Sequence, residues 1–421
     1  SEHDPILNRW SVKPWSIVAD DSRTVLYLGV MYSVTFRQNI SCDGLNVYHV
    51  DFRAPESDSI GLQYSRRATL GAGFFGKVRL TNLRFQWSQN RLEEVLHNTL
   101  AKHMIASEQE AAHAREMAAK AWGEDRVGPL QPAKVRNING ELRDGFMFTM
   151  PLQPGESLKS YIEKNSDLLT IGKLEIAKAI LKAYRRQVID KGIASHGDLG
   201  ARNMMIARLE YWQYESEIAV NFIDWDRGFL PSDLSEDNLN TVHHLLGAGH
   251  PFGLHTKDYI LDFLIYRNDI SPEMFRRNDI QALKAVILHV LTGINFESLR
   301  ACIVTTQMHV FSDLEAISDT YVLSPQQFNA FYTKCNAEKA SAATDGYSDV
   351  VSRLNYATCL LDENRHALNR IWNDPVLYQL LQSLDQCQSL EELEKFVQLR
   401  ENSLDEHMDF SDEECNAPLF E

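Results

Sequence analysis

The chain has 421 residues, 44% hydrophobic and 24% charged, long enough to bury a large core in two or three domains or lobes. Its formal net charge of −16 argues against general nucleic-acid binding and against anionic membrane surfaces; half of that charge lies in residues 401–421, which hold eight carboxylates and no Lys or Arg. No apolar run approaches the roughly 18 residues of a membrane span, and Ser1-Glu2-His3-Asp4 lacks the basic-then-apolar layout of a signal peptide.

In chain order, residues 1–60 carry strand-like stretches (Thr24–Thr35 and Leu45–Phe52) broken by turn formers, and read as an N-terminal extension. Thr69–Leu80 pairs apolar residues with three glycines and predicts strand–turn–strand. Ser107 and Glu110 form an S-x-x-E capping box ahead of an Ala-rich helix reaching Trp122. Phe146–Leu152 predicts a buried strand, which Pro154-Gly155 turns. Helical periodicity then covers Leu158–Lys164 and Gly172–Gln187, and the short apolar runs Met204–Ala207 and Ile218–Ile223 follow. The remainder is mainly helical, including Asp279–Leu291 and Leu390–Leu399, and the acidic segment 401–421 has the composition of a disordered tail. Strands with one helix, then a helical body with a small β insert, predict a two-lobed α+β protein. The six cysteines (Cys42, Cys302, Cys335, Cys359, Cys387 and Cys415) show no CxxC spacing, which points to a reducing compartment rather than a zinc site.

Three segments carry chemistry. In Gly71-Ala72-Gly73-Phe74-Phe75-Gly76-Lys77-Val78, the glycines let a hairpin backbone close over phosphates that side chains would keep away; alone, a glycine-rich turn is the simpler reading. In His196-Gly197-Asp198-Leu199-Gly200-Ala201-Arg202-Asn203, Asp198 can orient an incoming hydroxyl and take its proton, while Asn203 can reach a Mg²⁺ ion. In Phe222-Ile223-Asp224-Trp225-Asp226, an Asp ending an apolar strand is placed to bind the metal that bridges nucleotide phosphates. Asp and Asn are also ordinary turn formers, so the order of the three segments matters more than any one of them. His243, His244, His250 and His255 match no familiar metal-ligand spacing and read better as part of a loop facing substrate.

From about Leu70 to Gly293 these segments resemble the protein-kinase superfamily. Gly71–Val78 is similar to its glycine-rich loop, His196–Asn203 to its catalytic loop in the tyrosine-kinase form HRDLAARN, and Asp224 to the metal-binding Asp of DFG. Met150-Pro151-Leu152-Gln153-Pro154-Gly155 resembles the hinge that receives adenine, and the helix from Asp279 to Gly293 resembles the buried C-lobe helix whose Asp braces the catalytic loop. Thr99-Leu100-Ala101-Lys102 resembles the strand whose Lys holds the α- and β-phosphates; Glu108, Glu110 and Glu116 are its candidate partners, with Glu116 favoured because Glu110 serves the cap.

The resemblance implies a bilobal protein-kinase-like fold, with an N-lobe over 61–153, a C-lobe over 154–300 and a helical extension over 301–400. It implies ATP and Mg²⁺ as cofactors and a protein Ser, Thr or Tyr hydroxyl as acceptor. Asp198, Lys102 and Glu116 would be catalytic, and Asn203 and Asp224 would hold the metal. Gly71, Gly73, Phe75, Gly76, Val78, Lys102, Met150 and Leu152 would line the nucleotide, with His196 and Asp279 in support.

The chain also departs from the family. Gly197 replaces the Arg that answers a phosphorylated activation loop, which implies activity without that phosphorylation, or activation by a bound partner such as a host protein or small molecule. Asp226 replaces the Gly of DFG, and HGD with Asp-Trp-Asp also resembles choline, aminoglycoside and lipopolysaccharide-core sugar kinases. The APE-like Ser271-Pro272-Glu273 lies closer to Asp279 than the family has it. A repurposed pseudokinase, acting through partner binding or through AMP or glutamate transfer, is the third reading. The extensions and acidic tail resemble kinases that intracellular bacteria secrete into host cytosol, although a merely solvated tail accounts for the same residues.

Overall fold

The structure, a computed structural model, describes residues 37–42, 45–49, 60–66, 69–73, 76–88, 91–137, 139–166, 168, 170–210, 216–234, 272–313, 315–317 and 320–413. Among these the chain is a mixed helix-and-sheet protein that divides into two units, Ser1–Gln153 and Pro154–Glu421.

The first unit is built on an eight-stranded sheet of antiparallel pairs. Its strands are β1 (Arg37–Cys42), β2 (Leu45–His49), β3 (Ile60–Arg66), β4 (Thr69–Gly73), β5 (Gly76–Ser88), β6 (Arg91–Met104), β7 (Gln131–Arg136) and β8 (Leu142–Pro151). They run in the order β1-β2-β3-β5-β6-β8-β7, with β4 paired to β5. The glycine-rich stretch forms the β4–β5 hairpin, its register closing on Gly73 opposite Gly76. Phe74 and Phe75, which connect the two strands, lie outside the described residues, as do Thr24–Thr35 and the four-histidine segment.

One long helix, α1 (Glu108–Trp122), packs on β8. Its N-terminus is the capping box the sequence predicts: Glu110 N–H donates to Ser107 Oγ at 3.2 Å, and Ser107 N–H to Glu110 Oε2 at 3.1 Å. Ala111, Ala114 and Ala118 form a stripe small enough to sit closely against Met104, Val127 and Phe148.

In the second unit, β9 (Glu156–Ser157), β10 (Met204–Glu210) and β11 (Ser216–Phe222) make a three-stranded sheet in the order β11-β10-β9, leaving β11 at an edge. The helices are α2 (Leu158–Lys164), α3 (Thr170–Tyr184), α4 (Pro272–Thr292), α5 (Phe296–Thr306), α6 (Pro325–Asp345), α7 (Ser348–Trp372), α8 (Pro375–Asp385) and α9 (Leu390–Glu413). Ser157 caps α2 by accepting from Ser160 N–H at 3.2 Å, and Ser324 and Gln327 form a second capping box ahead of Pro325 on α6.

The core runs through α3, where Leu174, Ile176, Ala177, Ile180, Leu181 and Tyr184 are buried, to α4, where Ile280, Leu283, Val286, Ile287 and Val290 are buried. α9 packs along α3 and continues to Glu413, well beyond the Leu390–Leu399 repeat visible in the sequence. No helix among the described residues is long and apolar enough to cross a membrane.

Candidate active site

The chain from Ile193 to Asn203 is shaped by buried polar anchors. Asp279, on α4 and fully buried, accepts three hydrogen bonds: from Tyr184 Oη at 2.9 Å, His196 N–H at 2.8 Å and Gly197 N–H at 3.0 Å. Burial, then the Asp279 charge, pushes the Tyr184 phenol well above its ordinary pKa, so the hydroxyl stays a donor. Arg276, one turn earlier on α4, donates to the carbonyls of Ile193 at 3.0 Å and Ala194 at 3.2 Å. Two side chains of one helix thus hold the backbone that enters the loop.

His196 connects the loop to the segment that carries Asp224. Its Nδ1 accepts from Asp198 N–H at 3.2 Å, so Nε2 carries the proton and donates to Ile223 O at 2.9 Å. The ring packs on Trp225 with centroids 4.5 Å apart. Gly197 is left-handed at φ +81°, and a Cβ there would stand 2.1 Å from Arg227 O. A side chain at that position would meet the Arg227 carbonyl, so the backbone here requires glycine.

Asp198 is buried at 4% exposure and grasped at both oxygens. Arg202 Nη2 donates to Oδ1 at 2.7 Å, and Asn203 Nδ2 donates to Oδ2 at 3.1 Å and to the Asp198 carbonyl at 2.8 Å. Arg202 also reaches Glu297 on α5, Nη1 to Oε1 at 3.4 Å. Burial pulls the Arg202 pKa down, but Asp198, Glu297 and Asp224 outweigh it and hold the guanidinium above its ordinary value. Gly200 leaves room for this pair, since a Cβ there would lie 3.2 Å from both Glu297 Oε2 and Arg202 Nη1.

Asp224 follows β11 in a left-handed conformation, φ 60° and ψ 64°, with its side chain exposed. A non-glycine residue in that region stores strain that the surroundings must hold. Asn203 turns its amide nitrogen to Asp198, which aims its carboxamide oxygen elsewhere. That oxygen and the Asp224 carboxylate are the kind of oxygen donors Mg²⁺ takes, since that ion binds through one or two carboxylates and completes its shell with water and phosphate. No group of three or more His, Cys, Asp or Glu side chains among the described residues could hold a metal by itself. The donor chemistry of Asn203 and Asp224 fits Mg²⁺.

In the first unit, register places Lys102 on β6 between Val78 on β5 and Phe148 on β8. Lys102 is 9% exposed. Gly71, Gly73, Gly76 and Val78 lie in the β4–β5 hairpin. Met150 is half-buried near the end of β8, and Leu152 is 36% exposed just beyond it. Glu116 lies on the exposed face of α1. It stands two residues from both Ala114 and Ala118, so the helical repeat turns it about half a turn from the stripe that packs on the sheet. The sequence favoured Glu116 by its depth in the helix; the structure places it on solvent, away from the sheet that carries Lys102.

Several contributors carry no motif: Tyr184 on α3, Arg276 on α4 and Glu297 on α5 reach the loop only through the fold, as Gln187, just after α3, reaches β11. No protein-family model matches the chain, and no curated protein matches it. Among solved structures it is similar to a double mutant of the PknI kinase domain of Mycobacterium tuberculosis, with 15% identity over 55% of this chain and 74% of that one, at a TM-score of 0.32. A likeness of that size says nothing about chemistry, which rests on the chain's own residues.

Proposed function

We propose that the chain is a bilobal, ATP- and Mg²⁺-dependent phosphotransferase that phosphorylates a Ser, Thr or Tyr hydroxyl of a protein. The observation that carries this reading is Asp198, a buried carboxylate oriented by Arg202 and Asn203 on a loop whose backbone amides are fixed by Asp279. A positioned carboxylate can accept the proton of an incoming hydroxyl as its oxygen bonds to the γ-phosphorus and the bond to ADP breaks. Asn203 and Asp224 would hold Mg²⁺, which supplies charge neutralisation at the phosphates. Lys102 would bind the α- and β-phosphates beneath the Gly71–Val78 hairpin, with Phe75, Met150 and Leu152 around the nucleotide. Glu116, the partner the resemblance implies for Lys102, lies on the exposed face of α1. Most of the rate would come from positioning and preorganised charge.

Gly197 supports activity without activation-loop phosphorylation, because it supplies no cation to receive a phosphate. A phosphate on that segment found by mass spectrometry to be essential for turnover would overturn this. A second reading, transfer to a small-molecule or glycan hydroxyl, is supported by Gly197 together with Asp226, the two positions at which the chain resembles small-molecule kinases.

The test offers purified protein radiolabelled ATP with protein mixtures and, separately, with sugars. Asp198→Ala is expected to lower transfer at least 100-fold, the low end of a general base's contribution, while ATP affinity stays within a few-fold. Label in sugars alone selects the second reading. Turnover retained by Asp198→Ala removes both, and a nucleotide-dependent thermal shift without phosphoryl transfer points to a repurposed pseudokinase.

A further inference from the structure

The two residues before Asp224 have every backbone hydrogen-bonding group engaged. Ile223 N–H donates to Asn203 O at 2.9 Å, and Ile223 O accepts from His196 Nε2 at 2.9 Å. Phe222 O accepts from the Trp225 indole at 3.0 Å. These three contacts come from the catalytic loop or from the turn after Asp224, so they move with the site. The fourth does not. Phe222 N–H donates to Gln187 Oε1 at 2.9 Å, and Gln187 Nε2 donates to Val220 O at 2.8 Å.

Gln187 is 4% exposed and lies in a π-helical turn, Arg185–Ile189, that follows α3 directly. Such turns insert an extra residue into a helix and are frequent at functional sites. Val220 N–H and C=O and those of Phe222 fall on the same side of a strand, and β11 is an edge strand. A neighbouring strand would offer these positions a backbone N–H and a backbone C=O. Gln187 offers its carboxamide instead, donor to one residue and acceptor from the other.

We propose that Gln187 is a positioning residue for the metal-binding carboxylate: it ties the last turn of β11 to α3 and so holds Asp224 in its left-handed conformation. This rests on the phosphotransferase reading of Asp224. A left-handed Asp stores strain, so an untethered strand end would let Asp224 relax into the ordinary β or right-handed region and re-aim its carboxylate. Outer-shell contacts of this kind commonly change metal affinity by roughly 10–100-fold.

The test is Gln187→Met, which keeps the side chain's length and loses both hydrogen bonds, with Gln187→Glu as a companion that retains the acceptor for Phe222 N–H. Binding of a non-hydrolysable fluorescent ATP analogue is titrated with Mg²⁺, alongside binding without the metal. Expected is a rise of roughly tenfold in the Mg²⁺ concentration at half-saturation for Gln187→Met, a smaller rise for Gln187→Glu, and metal-free binding within twofold of wild type. A folded variant of either kind with an unchanged Mg²⁺ midpoint, losing only thermal stability, overturns the proposal and leaves the phosphotransferase reading intact. Wild type showing no Mg²⁺-linked nucleotide binding overturns that reading, and this inference with it.

Discussion

At Gly197 the backbone is left-handed and the Arg227 carbonyl stands where a Cβ would go. The left-handed conformation alone costs an L-residue about 1–2 kcal/mol, and the carbonyl cannot retreat easily because Phe229 N–H bonds to Ser195 O beside it at 3.0 Å. Gly197→Ala is therefore expected to lower the melting temperature by roughly 2–4 °C for each kcal/mol lost, and to displace Asp198 in the process. Thermal denaturation checks the first effect and phosphoryl transfer the second. An unchanged melting temperature would mean the loop adopts another path. Residue identity made part of this legible: the spacing of His196, Asp198, Asn203 and Asp224 marks a site before any fold is known. The reason for the glycine was not legible, because its neighbour Arg227 lies 30 positions away in the chain and contributes a backbone oxygen, which no residue type advertises.

Elements were legible wherever local chemistry decides them. The capping box fixed the start of α1, α2 matches the Leu158–Lys164 periodicity, and the Gly-rich segment became a hairpin. The π turn after α3 was invisible, since an extra residue in a helical turn leaves the composition unchanged. So was the docking of α9 along α3, which joins residues some 200 positions apart.

Two kinds of contact hold α9. Arg185, at the start of the π turn, donates to Glu394 at 2.7 and 3.0 Å, and Lys178 pairs with Glu401 at 3.0 Å. Beneath them Leu393 is fully buried, with Phe396 and Val397 also in the core. Exposed ion pairs contribute about 0–1 kcal/mol, whereas truncating a buried Leu costs about 2–5 kcal/mol. Leu393→Ala should thus destabilise the protein several-fold more than Glu394→Ala in urea denaturation. Equal losses would mean that the ion pairs, not the apolar face, dock the helix.

At the scale of the whole chain, the described helices after residue 300 belong to the same unit as the His196–Asn203 loop, and Lys284 shows how they are joined to it. Lys284 sits on α4, five residues after Asp279, and is fully buried. Its ammonium donates to the carbonyls of Asp385 at 2.5 Å and Cys387 at 3.3 Å, just where α8 ends, and lies 3.7 Å from the Asp385 carboxylate. Asp385 in turn accepts from Tyr321 N–H at 3.1 Å and Val322 N–H at 2.8 Å. Arg300 donates to Thr320 O at 3.2 Å and stacks over the Tyr321 ring at 5.3 Å.

Burial pulls the Lys284 pKa below its ordinary value, and Asp385 pulls it partly back. Lys284 and Asp385 thus compensate one another inside the core. Removing one partner of a buried pair costs about 3–5 kcal/mol, because the other charge stays buried without compensation. Lys284→Met should lose stability of that order. Lys284→Met combined with Asp385→Asn, which keeps an acceptor for the Tyr321 and Val322 amides, should recover part of it. The helix that carries Lys284 also carries Asp279, so the single variant should weaken the grip on His196 and Gly197 as well. Hydrogen exchange at those two amides is expected to quicken in step with the loss of stability. Amides that stayed protected in a destabilised Lys284→Met protein would show that the C-terminal helices support the fold without bearing on the loop.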